Sequence, residues 1–145
     1  MNNSLHYRCT TKNDHNTLLF IWERSVLKTH QFLKLEDFEK IKKNIPDWLP
    51  NLNVQVWYNE IEVIGFSATN KNNLEMLFLD EKYLGKGYGS KILMVLINKF
   101  SITTVDVNEQ NVQAYNFYCR NGFKVISKSE NDGMNMPYPL LHLSL

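Results

Sequence analysis

At 145 residues the chain has the length of one ordinary domain, and a fold of that size buries about 68–70% of its unfolded surface without needing staples. Hydrophobic residues at 43% and charged residues at 21% exclude a disordered, collagen-like or coiled-coil chain. Sixteen Lys and Arg against fifteen Asp and Glu leave a net charge of +1, so no overall field recruits nucleic acid or anionic lipid and any anion site must be local.

The opening residues, Met1 to His6, lack the charged and apolar regions of a signal peptide, and no stretch approaches the ~20 apolar residues of a membrane span, so a cytoplasmic location is expected. Leu5 to Cys9 alternates as a first strand. Asn13-Asp14 can cap a helix with Leu18, Leu19, Trp22, Val26 and Leu27 on one stripe, and a second helix over Leu35 to Lys43 should stop before Ile45-Pro46. The period then changes: Val54 to Tyr58, Glu62 to Thr69 and Leu74 to Leu79 read as three strands of an antiparallel meander. After Leu79 come a polar loop, Asp80 to Leu84, three glycines at Gly85, Gly87 and Gly89, and an amphipathic helix from Ser90 to Phe100. Thr104 to Val107 is a strand, Asn111 to Arg120 a helix closed by Asn121-Gly122, Phe123 to Ser127 a strand, and Tyr138 to Ser144 a last strand with Pro139 near its start. This order predicts a mixed sheet with helices on both faces, in a single domain over 1–145. Cys9 and Cys119 stand far apart, with no Cys/His cluster at metal-ligand spacing, so neither a disulfide framework nor a metal site is expected.

Three glycines opening a helix expose backbone N–H groups without intrahelical partners, and the helix dipole and Lys86 add positive charge, which makes Gly85 to Ser90 a cradle for a phosphate or diphosphate. A turn needed only for tight packing is the plainer alternative. A Walker loop is excluded, because position 80 is Asp and Gly87 follows Lys86 where a hydroxyl is needed. A dinucleotide fingerprint fits poorly: Gly85, Gly87 and Ser90 have the spacing and Asp106 lies about 20 residues on, but five residues separate strand from glycines.

The stretch Leu77 to Ser90 resembles the acetyl-CoA pyrophosphate loop of the GNAT superfamily of N-acetyltransferases, and Asn111-x-x-Ala114-x-x-x-Tyr118-x-x-x-Gly122-Phe123 resembles its second signature, in the family's order and spacing. Together they span about a third of the chain. Thr29-His30-Gln31-Phe32 and Tyr138 to His142 are similar to small bacterial members. The resemblance implies the GNAT α/β fold, a mixed, mainly antiparallel seven-stranded sheet flanked by about four helices. It also implies acetyl-CoA as cosubstrate, no metal, and a backbone-and-loop site made of Leu77, Phe78, Leu79, Gly85, Lys86, Gly87, Tyr88, Gly89, Ser90 and Asn111. One departure stands out: the family usually has Arg or Gln where this chain has Leu84, which leaves the diphosphate to main-chain amides.

Independently of the family, Asn111, Ala114, Tyr115 and Tyr118 share a helix face, with Asn111 and Tyr118 roughly 10 Å apart along the axis. An extended thiol carrier spans that distance, with Asn111 on its amide arm and Tyr118 near the sulfur; the alternative is a buried aromatic face whose hydroxyl merely finds a partner. A phenol facing a thiol-like leaving group makes full proton transfer uphill by about 2 kcal/mol, so Tyr118 is expected to donate a hydrogen bond to the developing thiolate. Glu75, on an otherwise apolar strand, is expected to be a base whose pKa burial raises, or else a solvated strand-end carboxylate. His30 is expected to line the acceptor pocket or to be an idle helix-end residue, His142 to be a hydrogen-bonded core histidine or an acceptor-site group, and Trp22, Trp48 and Trp57 to be core or pocket wall. The expected function is transfer of acetyl from acetyl-CoA to a primary amine of a small molecule or peptide, by direct attack in a ternary complex, with a homodimer left open and no nucleic-acid or membrane partner. The rivals are a CoA or acyl-CoA sensor that has lost catalysis and a nucleotide-binding domain.

Overall fold

A computed structural model describes residues 4–145; the first three residues of the segment read for a leader lie outside them. Strands β1 (His6–Cys9), β2 (Asn53–Tyr58), β3 (Val63–Asn70), β4 (Asn73–Leu79), β5 (Thr104–Asn108), β6 (Lys124–Ser129) and β7 (Leu140–Ser144) form one sheet in the order β1-β2-β3-β4-β5-β7-β6. All neighbours are antiparallel except β4 and β5, which run parallel. Helices α1 (His15–Thr29) and α2 (Leu35–Trp48) pack on one face, and α3 (Tyr88–Phe100) and α4 (Val112–Arg120) on the other. The mixed seven-stranded sheet and four helices are those expected. No helix among the described residues is long and apolar enough to cross a membrane.

Each face has its own core. Leu18, Trp22 and Val26 of α1 and Phe38 and Ile45 of α2 meet Val54, Val56, Phe66 and Ala68 of the sheet, with the Trp22 and Phe38 rings stacked at 5.2 Å. Across the sheet, Ile92, Leu93 and Leu96 of α3 and Tyr118 of α4 meet Trp57, Leu74, Val105 and Leu143. The stripe on α1 is rotated from the predicted one: Ile21 is buried, whereas Leu27 is 57% exposed. Asp14 stands just ahead of α1 and accepts hydrogen bonds from the Thr11 N–H (2.8 Å) and from both ends of the Arg8 guanidinium (2.8 Å each), which hold its carboxyl far below the usual range.

Helix α2 corrects the expectation that it would end at Lys43: it runs on through Pro46 to Trp48. Proline within a helix removes one hydrogen bond and costs about 3 kcal/mol. Continuing the helix buries Ile45 (1% exposed) and delivers Leu49 (2%), each contributing roughly 1.5–3 kcal/mol, and the Leu49 N–H still reaches the Ile45 carbonyl. Burial therefore outweighs the break. The last strand also begins later than predicted, because Tyr138 is buried outside it and bonded to α2.

Two irregularities shape the sheet. Against Thr69 and Ala68 of β3, Leu74 and Met76 of β4 are the paired residues, which leaves Glu75 as the extra residue of a bulge. The bulge moves Leu74 and Met76 to opposite faces, Leu74 joining the α3/α4 core and Met76 the α1/α2 core. Directly after it, β4 and β5 part. Their pairing is confined to Asn73 with Thr104 and Leu74 with Val105, so the rest of β4 presents an unpaired edge to a gap.

Gly65 on β3 lies against this part of β4. An added Cβ would stand 2.4 Å from the Phe78 carbonyl oxygen and 2.7 Å from Leu79 Cδ2. Gly65→Ala is therefore expected to destabilise the fold by about 1–3 kcal/mol, read as a lower urea midpoint at unchanged slope.

Candidate functional site

The gap between β4 and β5 opens into two cavities. One, of about 410 Å³, runs along Leu77 to Leu79, the glycine loop and the α4 residues Asn111, Ala114, Phe117, Tyr118 and Arg120. The other, of about 790 Å³, lies between α1, α2 and the carboxyl half of the sheet, with Trp22, Trp48, Glu75, Asp106, Asn108 and the Asp132–Met134 loop in its wall. Six residues border both: His30, Leu77, Phe78, Asn111, Ala114 and Tyr118.

The glycine loop is set in place by the turn before it. The Asp80 carboxylate accepts from the Lys82 N–H, Arg24 of α1 holds Glu81 at 2.8 Å, and the Tyr83 hydroxyl donates to Glu62 at 2.6 Å. Gly85 and Gly87 have φ of +74° and +87°, and a Cβ at either would meet no atom within 4 Å. Backbone conformation rather than crowding demands glycine there, and the space above is open. Gly89 differs: its Cβ would sit 3.3 Å from the Phe117 ring, so this third glycine serves helix packing. Gly87 caps α3, whose first N–H groups, from Tyr88 onward, have no intrahelical acceptor. An open, left-handed turn at a helix N-terminus fits the diphosphate of a CoA carrier, with Lys86 exposed beside it and Leu84 packed into the core.

Asn111 ends the loop after β5 and caps α4, its side-chain oxygen accepting from the Ala114 N–H at 3.2 Å. From there α4 carries Ala114 and Tyr118 to the gap, while Tyr115, expected on the same wall, borders neither cavity and packs toward Cys119 and the core. The Tyr118 ring is buried edge-on against Phe117 and Phe123, at 5.0 and 5.7 Å. Burial raises its pKa, so the hydroxyl stays protonated and has a proton to donate.

Glu75 borders the larger cavity, but as the bulge residue it is exposed, so the expectation that burial would activate it does not hold. His30 follows α1 and borders both cavities, with Phe32 and Phe78 at ring distances of 5.3 and 6.5 Å. Desolvation lowers its pKa to about 4, so the imidazole is neutral at pH 7. His142 joins two polar groups on β5 and β6: Nδ1 lies 2.6 Å from Asp106 and Nε2 2.6 Å from the Ser129 hydroxyl. Trp22 and Trp48 line the larger cavity, whereas Trp57 is core and donates to Ser67 at 2.8 Å.

The sequence reading missed Asp132, Asn108, Phe117 and Arg120 as wall residues and gave Asp106 only to a rejected nucleotide site. A signal existed for Asp106: Val105 and Val107 are core, so the polar residue between them must face the opposite side. Asp132 carries none, because its loop is placed by bonds to its own backbone, from the Met134 and Met136 N–H groups. That loop is fastened to α2 by the Tyr138 hydroxyl, which donates to the Asp37 carboxylate and accepts from the Lys34 N–H at 3.2 Å.

The acetyltransferase (GNAT) domain model matches residues 25–136. The chain belongs to the GNAT family. It is similar to the peptidyl-lysine N-acetyltransferase YjaB of Salmonella typhimurium, 34% identical over 140 residues that cover 96% of this chain and 97% of that one. With YjaB of Escherichia coli it shares 37% identity over 128 residues, 88% of this chain and 87% of the other. The solution structure of apo YjaB from Escherichia coli superposes with a TM-score of 0.90 at 34% identity, covering 97% of each chain. As a GNAT member the chain is an acetyl-CoA-dependent acyltransferase.

Two outcomes test the site. Gly87→Asp places a side chain and a negative charge in the cradle, and calorimetry should show acetyl-CoA bound at least tenfold more weakly, about 1.4 kcal/mol. His30, at about 4 when folded and 6.5 when unfolded, binds more protons in the unfolded chain between those values. Its stabilising share is complete above pH 6.5 and is lost as pH falls toward 4, roughly 3 kcal/mol at most. Urea midpoints measured from pH 7 to 4 should decline less steeply in His30→Gln.

Proposed function

We propose that this GNAT protein transfers the acetyl group of acetyl-CoA to the side-chain amine of a lysine in a peptide or protein, by direct attack in a ternary complex. The observation that carries the reading is the charge of the larger cavity. Its charged wall groups are Glu75, Asp106 and Asp132, and among the described residues no Lys or Arg lines it. A cleft of about 790 Å³ with three carboxylates and the indoles of Trp22 and Trp48 suits an aliphatic chain ending in an ammonium. The peptidyl-lysine acetyltransferases to which the chain is similar support the same acceptor.

On this reading the smaller cavity takes the carrier. The unpaired edge of β4 pairs with its extended arm, the glycine loop holds its diphosphate, and Asn111 and Tyr118 lie along the way to the thioester. Tyr118 donates its hydroxyl to the sulfur as negative charge develops there. Direct attack is supported by the cysteines: Cys119 and Cys9 border neither cavity, so no thiol stands ready to take the acetyl group.

Lysine peptides incubated with acetyl-CoA should gain 42 Da by mass spectrometry, a mass increment fixed by the chemistry of about one acetyl group replacing a proton. Tyr118→Phe should lose about 10²-fold in kcat at a nearly constant acetyl-CoA Kd. Turnover unchanged in Tyr118→Phe would make the tyrosine structural, and no turnover in either form would favour the sensor. Glu75→Lys should raise KM for a lysine peptide several-fold while leaving acetyl-CoA affinity alone, since the bulge residue borders the acceptor side and not the carrier side.

A further inference from the structure

Of the six residues that border both cavities, His30 and Tyr118 are the two that can exchange a proton. Tyr118 is committed to donation. The hydrogen bonds behind His30 fix what it can do. The Thr29 hydroxyl donates its one proton to the Ser25 carbonyl at 2.8 Å, and the same oxygen lies 2.7 Å from His30 Nδ1. Both bonds form together in one arrangement: Nδ1 carries the proton and donates to Thr29, which leaves Nε2 as a bare lone pair.

We infer that His30 is the catalytic base of acetyl transfer, its Nε2 taking the proton of the attacking amine, with Thr29 as the positioning residue that sets the tautomer. This rests on the lysine reading above. Once an ammonium has lost one proton to water, the neutral amine donates an N–H to Nε2 and aims its lone pair at the thioester carbonyl. The N–C bond forms and the C–S bond breaks; the electron pair goes to sulfur beside the Tyr118 hydroxyl, and the amine proton goes to Nε2. The products are the amide, a thiolate and an imidazolium, which returns its proton to solvent. Nitrogen that is forming a bond to carbon is far more acidic than a free ammonium, so a weakly basic imidazole suffices. Desolvation by its surroundings keeps that imidazole uncharged before the reaction. The other ionisable groups in the two cavity walls are Glu75, Asp106, Asp132, Tyr118 and Arg120.

The test combines a spectrum with kinetics. Long-range ¹⁵N correlation spectra of the free protein should show His30 Nε2 as an unprotonated nitrogen, and Thr29→Val should mix the tautomers while Thr29→Ser keeps one. With a lysine peptide and, separately, a simple diamine as acceptors, His30→Gln and His30→Ala should lose about 10²-fold in kcat, with acetyl-CoA Kd within twofold. Thr29→Val should lose roughly tenfold and Thr29→Ser recover it. Added imidazole should restore His30→Ala in proportion to its concentration. An Nε2–H tautomer, or wild-type kcat in a folded His30→Gln, overturns the assignment. A wild type that acetylates the diamine but no lysine peptide refutes the lysine reading instead, and the diamine series still decides His30.

Discussion

Everything at the site depends on two parallel strands that stop pairing after two residues. The cause is local to β4. Leu74 is its last residue paired with β5, and Glu75, the next, is the bulge against β3. A bulge bends its strand and increases its twist, so β4 turns away just where it must separate from β5. A continuous β4–β5 ladder would close the gap and satisfy the edge internally. Parting leaves main-chain donors and acceptors open to an extended ligand, and it joins a channel from one face of the sheet to a cleft on the other.

The charge balance of the whole chain is nearly neutral, yet the two sides of the gap differ. Lys86 and Arg120 stand on the side of the glycine loop, and Glu75, Asp106 and Asp132 on the side of α1 and α2. Between them sit an imidazole and a phenol that burial keeps uncharged. On the proposed reading, uncharged groups flanked by opposite charges would orient an anionic carrier and a cationic acceptor from opposite directions.

Elements were legible where one physical signal acted alone. The stripe Ile92, Leu93, Leu96 on α3 and the turn residues around β2 to β4 had no competitor, and the glycine loop was readable because Gly85 and Gly87 serve backbone conformation that few other residues tolerate. Failures came where tertiary burial opposed a local rule. Pro46 argues for a helix end, and only the core contacts of Ile45 and Leu49 reveal the opposite. The bulge at Glu75 was invisible because both faces of β4 are apolar, so a change of face leaves no mark in the hydrophobic pattern. Glu75 was thereby left open between a buried base and a solvated carboxylate, and it is the exposed one. Likewise His30 was expected to line a pocket and it borders both cavities, but the tautomer inferred for it depends on one threonine rotamer that no spacing encodes.

The loop that brings Asp132 to the wall of the larger cavity is tied to α2 by a phenol and a carboxylate 101 positions apart in the chain, Tyr138 and Asp37. Neither belongs to the segments that hold the glycine loop or α4. Lengthening either the connection between α1 and α2 or the loop between β6 and β7 by itself would strand one of these polar groups without its partner, at a cost of about 1–3 kcal/mol where it is buried. The wall of the larger cavity can therefore diverge among descendants of this chain while the smaller cavity stays as it is, but the segments that carry Asp37 and Tyr138 must drift as a pair.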